Sequence, residues 1–316
     1  MKILILGAGA IGGYVGGRLH QSGADVTFLV RAARHEALQR DGLVIKSTKG
    51  DVTQKVKTVT NGGPNGSIGG GPYDVVLLTC KAYDLDSAMD AIAPAVGAGT
   101  TIVPLLNGMR HLEALDARFG ADKVVGGLAR VGVAMDGQGH ILHTSPFAVI
   151  SFGERDGTAA RAALTELDAA IKASGVDGGL NANIVQDLWD KWIMLCTLAA
   201  TCCLMRGSSG DVLEADEGLA IVLETVEEGR MVGAAAGHDP GEKGLKTIRS
   251  FLTVKGSKFT ASMLHDLEKG AMVEADHIVG DMIARARKAG IATPNLRLAY
   301  ANLQVYLAKR ARKLAK

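Results

Sequence analysis

The sequence predicts an α/β protein of two domains: a doubly wound, mostly parallel sheet domain over 1–175, then an all-helical domain over 176–316. Three observations predict it. The chain opens with a short apolar strand, "KILIL", glycines at 7, 9 and 12, a helix-forming run and a second apolar strand, "DVTFLV". That completes a β-α-β unit in about 30 residues. Strands and helices then alternate up to about residue 175, as a parallel sheet with crossover helices requires. Beyond that point strands nearly vanish and apolar residues recur three or four apart. A chain of 316 residues is also long enough to split into two domains.

The opening stretch admits three readings. A leader peptide needs a compact apolar block and a small-residue cleavage site, and a bilayer span needs about 20 apolar residues. Here glycine interrupts after "KILIL". The spacing Gly7-x-Gly9-x-x-Gly12 stands between a strand and the helix "IGGYVGGRLHQSG", which ends at Gly23. This is the dinucleotide fingerprint of a Rossmann domain. Gly7 permits the sharp turn, Gly9 lets backbone approach a pyrophosphate, and Gly12 lets helix and strand pack closely. The helix N-terminus offers unpaired N–H groups to the phosphates.

The second strand ends "FLVRAARHEAL", with Arg31 where an NAD site carries an acid for the ribose diol, and Arg34 one turn on. A guanidinium suits a 2′-phosphate, so the expected cofactor is NADP(H). Either arginine equally reads as a solvated loop charge.

Further on, "YDVVLLTCKAYDLDSAMDAI" is a strand followed by Lys81 and a helix, and "GTTIVPLLNGM" is a strand followed by Asn107-Gly108. Both polar residues lie past the carboxyl ends of expected parallel strands, where open α/β sheets bind ligands. Alone, Lys81 reads as a surface charge and Asn107-Gly108 as a tight turn. "NGGPNGSIGGGP" (61–72) lacks a following helix and reads as a flexible surface loop. "KVVGGLARVGVAM" is a strand, and "GHILHT…FAVISFGE" reads as a hairpin closing the domain.

"KASGVDGGLNANIVQDLW" is the expected crossover between the domains. "DLWDKWIMLCTLAATCCLM" reads as a buried core helix, its uncharged part too short for a span. Four amphipathic helices are expected after it, in "EGLAIVLETVEEGRMVGAAAG", "KFTASMLHDLEKG", "EADHIVGDMIARARKAG" and "PNLRLAYANLQVYLAKRARKLAK". Lys191 opens the apolar helix between Trp189 and Trp192. It either snorkels to water or is held partly desolvated, able to polarise a carbonyl. The sequence leaves both open.

Composition narrows the partners. Thirty-five basic and 33 acidic residues give a formal net charge of +2, which leaves no broad basic face for nucleic acid or anionic membranes. The cysteines, Cys80, Cys196, Cys202 and Cys203, form no C-x-x-C pair and read as buried thiols of a cytoplasmic protein. No His or Cys group has metal-ligand spacing. His143 reads as a satisfied structural histidine.

The chain resembles the ketopantoate reductase (2-dehydropantoate 2-reductase) family over essentially its whole length. The resemblance rests on "ILGAGAIGGYVGGRL", "LVR", "LTCKAYDL", "LLNGM", "DLWDKW", "TASMLHDLEKGAMVEADHIVGDMI" and "ATPNLRLAY". It implies a Rossmann domain and a helical domain of the 6-phosphogluconate dehydrogenase C-terminal type, with the site between them. The implied activity is NADPH-dependent reduction of a 2-keto acid to a 2-hydroxy acid, as in pantothenate biosynthesis. Gly7, Gly9, Ala10, Ile11 and Gly12 would hold the pyrophosphate, Arg31 the 2′-phosphate, and Lys81 would reach the cofactor. Asn107 would sit by nicotinamide and substrate. Lys191 would be the catalytic lysine, Glu274 its acidic partner, and Ser262 would help hold the substrate carboxylate. No metal is implied, and a homodimer is left open.

This chain departs from the family pattern. Asparagines usually follow the catalytic lysine by one and two turns, where Leu195 and Ala199 stand, and another lies where Phe259 stands. A pocket with fewer hydrogen-bonding groups discriminates less for a hydroxylated substrate. The expected substrate is therefore 2-dehydropantoate or a related, more hydrophobic 2-keto acid. Two alternatives stand beside it: another NADP-dependent hydroxy-acid or imine-type dehydrogenase, and a non-catalytic NADP(H)-binding sensor.

Overall fold

Three apolar residues, Ile3, Leu4 and Ile5, are fully buried in β1 (Lys2–Leu6), the central strand of a parallel sheet. This computed structural model describes residues 1–60, 68–69 and 71–315. By its internal contacts the chain divides into two units. One comprises Met1–Leu106 with His111–Val185, the other Asn107–Arg110 with Gln186–Lys316.

In the first unit β2 (Asp25–Leu29), β5 (Lys57–Val59), β6 (Val75–Leu78) and β7 (Thr101–Pro104) join β1 in the order β5-β2-β1-β6-β7. Every pairing is parallel. The chain starts in the middle, runs outward through β2, then crosses to β6. Strand order therefore reverses beside β1, which makes its carboxyl end the place where such sheets bind ligands. The connections are α1 (Ala10–Gln21), α2 (Ala32–Asp41), α3 (Leu85–Ile92) and α4 (Arg110–Phe119).

A second sheet holds β3 (Leu43–Ser47), β4 (Val52–Gln54), β8 (Gly126–Met135), β9 (Ile141–Gly153) and β10 (Asp177–Leu180). Here the structure corrects the expected hairpin within "GHILHT…FAVISFGE". That stretch is the single strand β9, and the hairpin is β8–β9, antiparallel along their length. Its turn is built by Asp136, whose Oδ1 accepts N–H bonds from Gln138 and His140. The turn-like letters around Pro146 are absorbed as a shift of register between Val131 and Val133; proline cannot donate to a ladder and is tolerated at bulges. β10 pairs parallel with β9, so the chain returns to the sheet after α5 (Ala162–Ala173) and the first unit extends to Val185. Most of the expected loop at 61–72 lies outside the described residues.

The second unit is helical. α6 (Ile184–Met205) has the length and apolarity to cross a membrane, with mean hydropathy 1.3, yet 72% of its apolar window is buried by protein. It is a core helix. α7 (Ser209–Glu214), α8 (Gly218–Ala235), α9 (Gly241–Leu252) and α10 (Ser262–Glu268) follow. A π-helical turn, Asp276–Gly280, leads into α11 (Asp281–Lys288), and α12 (Pro294–Leu314) ends the described fold. Ser208 and Asp211 close a capping box at α7. The buried carboxylate of Glu228 on α8 accepts the backbone N–H groups of Asn295 and Leu296, satisfying the first turn of α12.

Candidate active site

β1 ends in a turn at Gly7, whose φ of +93° only glycine adopts readily. The Gly7 N–H donates to the Leu29 carbonyl at 2.9 Å, tying the turn to β2. A side chain at Gly12 would run into the Gly7 carbonyl and the Thr79 hydroxyl, which itself donates to the Leu6 carbonyl at 2.7 Å. Gly12 is thus a packing glycine. Gly9, the N-cap of α1, differs: a Cβ there would meet nothing within 4 Å. The protein's own packing does not require glycine at that position. Its absence of side chain leaves the N–H groups of Ala10 and Ile11, in the first turn of α1, open to a phosphate. The residues present therefore fit a dinucleotide.

The two arginines are set differently. Arg31 caps α2, is 83% exposed on its side chain, and pairs with Asp84 at 3.3 Å. Arg34 reaches back to the glycine turn, its Nε donating to the Ala8 carbonyl at 3.1 Å. Its Nη2 is enclosed without a hydrogen-bond partner among the described residues. Lys81, half-buried past the end of β6, caps the short 3₁₀ turn Ala82–Asp84.

In the second unit Lys191 lies on α6 and is only 6% exposed, which excludes the snorkelling alternative. Its Nζ donates to Oδ1 of Asn107 at 2.9 Å, although the two are 84 residues apart in sequence. Trp192, the next residue, donates its indole N–H to the Ile278 carbonyl at 3.0 Å. Glu274 is buried four residues before Ile278, and the Ile278 N–H donates to its carbonyl. The structure thus gathers Lys191, Asn107 and the Glu274 segment. Ser262 is exposed on the first turn of α10. Leu195 and Ala199 follow Lys191 on α6, half-buried and buried respectively, and Phe259 is largely exposed.

One member of this cluster was not anticipated. His277, three residues after Glu274, is 8% exposed and hydrogen-bonds the Asn107 backbone carbonyl. Burial pushes its imidazole below the ordinary histidine value, with Arg110 adding to the shift, while Glu274, Asp281 and the bond to Asn107 oppose it. The sequence signal was its i+3 spacing from Glu274 within the expected helix "EADHIVGDMIARARKAG".

Other expected residues are structural. His143 is buried, with its ring nitrogens bonded by Ser47, Ser145 and the Phe147 carbonyl. Cys196, Cys202 and Cys203 are buried, and burial pushes Cys203 up to about 12. Among the described residues no three His, Cys, Asp or Glu side chains gather to hold a metal ion.

Comparison with known proteins identifies the family. Residues 3–157 match the family model "Ketopantoate reductase PanE/ApbA", and residues 183–307 match that of its C-terminal region. The chain belongs to the ketopantoate reductase family. It is accordingly an oxidoreductase acting on a CH–OH group. Among its relatives, "Uncharacterized oxidoreductase YkpB" of Bacillus subtilis (strain 168) is 36% identical, covering 98% of this chain and 100% of that protein. A "2-dehydropantoate 2-reductase" of Mesorhizobium japonicum is 28% identical over 94% of each chain. The solved structure of 2-dehydropantoate 2-reductase from Geobacter metallireducens GS-15 superposes with a TM-score of 0.86 at 29% identity, covering 96% of this chain and 99% of that one.

Proposed function

We propose that this chain reduces a 2-keto acid to the 2-hydroxy acid with NADPH, and that its substrate is more hydrophobic than 2-dehydropantoate. The observation that carries the reading is Lys191, a buried ammonium on an apolar helix with its Nζ held by the Asn107 side chain. A buried cation needs compensation, and a fold keeps one at such a cost chiefly where charge develops during chemistry.

The residues take these roles. Backbone groups of Gly7, Gly9, Ala10, Ile11 and Gly12 hold the pyrophosphate, Arg31 the 2′-phosphate, and Lys81 a further part of the cofactor. The nicotinamide, when bound, supplies the hydride. Lys191 donates to the keto oxygen, stabilises the negative charge that grows there, and transfers its proton to give the hydroxyl. Water restores the ammonium. Asn107 fixes the ammonium's direction, Glu274 offsets its charge, and Ser262 helps hold the substrate carboxylate. Hydride on carbon and proton on oxygen together convert C=O into CH–OH.

The substrate preference follows from Leu195 and Ala199, which continue the Lys191 face of α6 by one and two turns with no polar group. The test is loss of NADPH absorbance at 340 nm across a panel of 2-keto acids. We expect turnover that falls by about 10² to 10³ in Lys191→Ala, with branched or aromatic keto acids ahead of 2-dehydropantoate. If 2-dehydropantoate were the best substrate, the preference would be wrong and the chemistry intact. NADPH binding without turnover of any keto acid would overturn both.

A further inference from the structure

A chain of hydrogen bonds closes on itself around Lys191. The Lys191 ammonium donates to the Asn107 side chain. The Asn107 backbone carbonyl accepts from the His277 ring. The carbonyl of Ile278, next after His277, accepts from the indole of Trp192, next after Lys191. Asn107 lies between β7 and α4, so neither sheet nor helix hydrogen bonds fix its carbonyl. The adjoining Gly108 has φ of +79°, and a Cβ there would sit 3.0 Å from both Cδ2 and the carbonyl oxygen of His277. The turn thus packs directly on the histidine. His277 itself belongs to the π-helical turn, a distortion that re-aims side chains and often occurs at functional sites.

We propose that His277 is a positioning residue: its ring holds the Asn107–Gly108 turn so that the Asn107 amide oxygen meets the Lys191 ammonium. This rests on the reading of Lys191 as proton donor. The part His277 plays needs one ring N–H, which either neutral tautomer can supply. The charged groups facing it are Glu274, Asp281 and Arg110. A neutral ring is the suitable form beside an ammonium two bonds away in the same network, because a second cation would repel the first. Displacement of Asn107 redirects Lys191, and misplacement of a reacting group by about 1 Å is worth up to about 10²-fold in rate.

The experiment compares His277→Phe, which fills the space without a donor, with His277→Gln, which keeps an N–H donor, in wild-type and Asn107→Ala backgrounds. We expect kcat to fall about tenfold or more in His277→Phe, KM for NADPH to stay unchanged, and His277→Gln to recover most of the loss. In the Asn107→Ala background, His277→Phe should add little, because the two act as one unit. Amide hydrogen exchange at Gly108 and Met109 should quicken in His277→Phe and return in His277→Gln. Independent, additive losses in kcat, or unchanged exchange at Gly108, would overturn the proposal. If the wild type reduced no 2-keto acid, the functional reading would fail while the exchange arm still decided the role of His277. If His277→Phe fails to fold, His277→Leu, which also lacks a donor, replaces it in every arm.

Discussion

Arg31 and Arg34 sit one helical turn apart and answer to different partners. Arg31 is exposed and held by Asp84, whereas Arg34 is anchored on the Ala8 carbonyl inside the glycine turn. On the proposed reading, an NADP-selective contact would fall to the exposed guanidinium, since the 2′-phosphate is what distinguishes NADPH from NADH. The anchored one supports the glycine turn itself, which on that reading would meet either cofactor. We therefore expect Arg31→Gln to raise KM for NADPH about tenfold, the worth of one charge-assisted hydrogen bond, and to leave KM for NADH unchanged. Arg34→Gln should raise both. Steady-state kinetics with the two cofactors decides; equal effects of Arg31→Gln on both would remove its assigned role. At this scale much could be read in advance. Gly7, Gly9 and Gly12 announce themselves by spacing, and Lys191 by standing charged in an apolar run. The bond from His277 to Asn107 could not be read, because it joins residues distant in sequence through a π-helical turn that no local pattern encodes.

α6 connects these residues to the rest of their unit. Trp192 is 1% exposed, and its indole N–H satisfies the Ile278 carbonyl of the π-helical turn. Arg285 lies over the same ring at 5.5 Å. Phenylalanine at position 192 would keep an aromatic surface and lose the donor to the Ile278 carbonyl. We expect Trp192→Phe to destabilise the protein by about 1–3 kcal/mol and to lower kcat, since the bond lies next to Lys191. Denaturant unfolding gives the first quantity and steady-state kinetics the second; full stability would mean that another donor reaches Ile278. α6, α8, α10, α11 and α12 were foreseeable because burial of one face imposes the 3.6-residue period, whereas α7 and α9 were not among the expected helices. Nor was β10 foreseeable. Its "DGGL" has no strand former, and Gly178 and Gly179 take φ of +104° and +122°. Its place comes from β9 beside it and from Asp168, whose Oδ1 accepts the Leu180 N–H at 2.9 Å.

The molecule as a whole carries its two tryptophans, Trp189 and Trp192, in the second unit, so their fluorescence reports on that unit alone. Both units hold carboxylates below their ordinary value. In the first, the Arg161 guanidinium holds Glu154 below the usual carboxylate range, and Lys172 does the same for Asp168. Those depressed values give stability that is present above the unfolded values of about 3.9 to 4.3 and is lost as pH falls through the folded ones. In the second unit Asp211 and Glu227 are held low in the same way, by Ser208 and Arg230; the depressed group nearer neutrality there is His277. Its contribution is complete above the unfolded value of about 6.5 and declines as pH falls towards the folded value, because the unfolded chain takes up the proton first. Glu228 works the other way: burial raises it, so its protonation on acidification favours the fold. That term is common to wild type and His277 variants. We therefore expect the thermal midpoint followed by tryptophan fluorescence to fall between about pH 7.5 and 5.5, before the carboxylates of either unit begin to titrate. In His277→Phe the midpoint should start lower, for want of the bond to Asn107, and be flat over the same interval. A decline that persists in His277→Phe would assign the acid sensitivity of this unit to another group and leave His277 with no part in it.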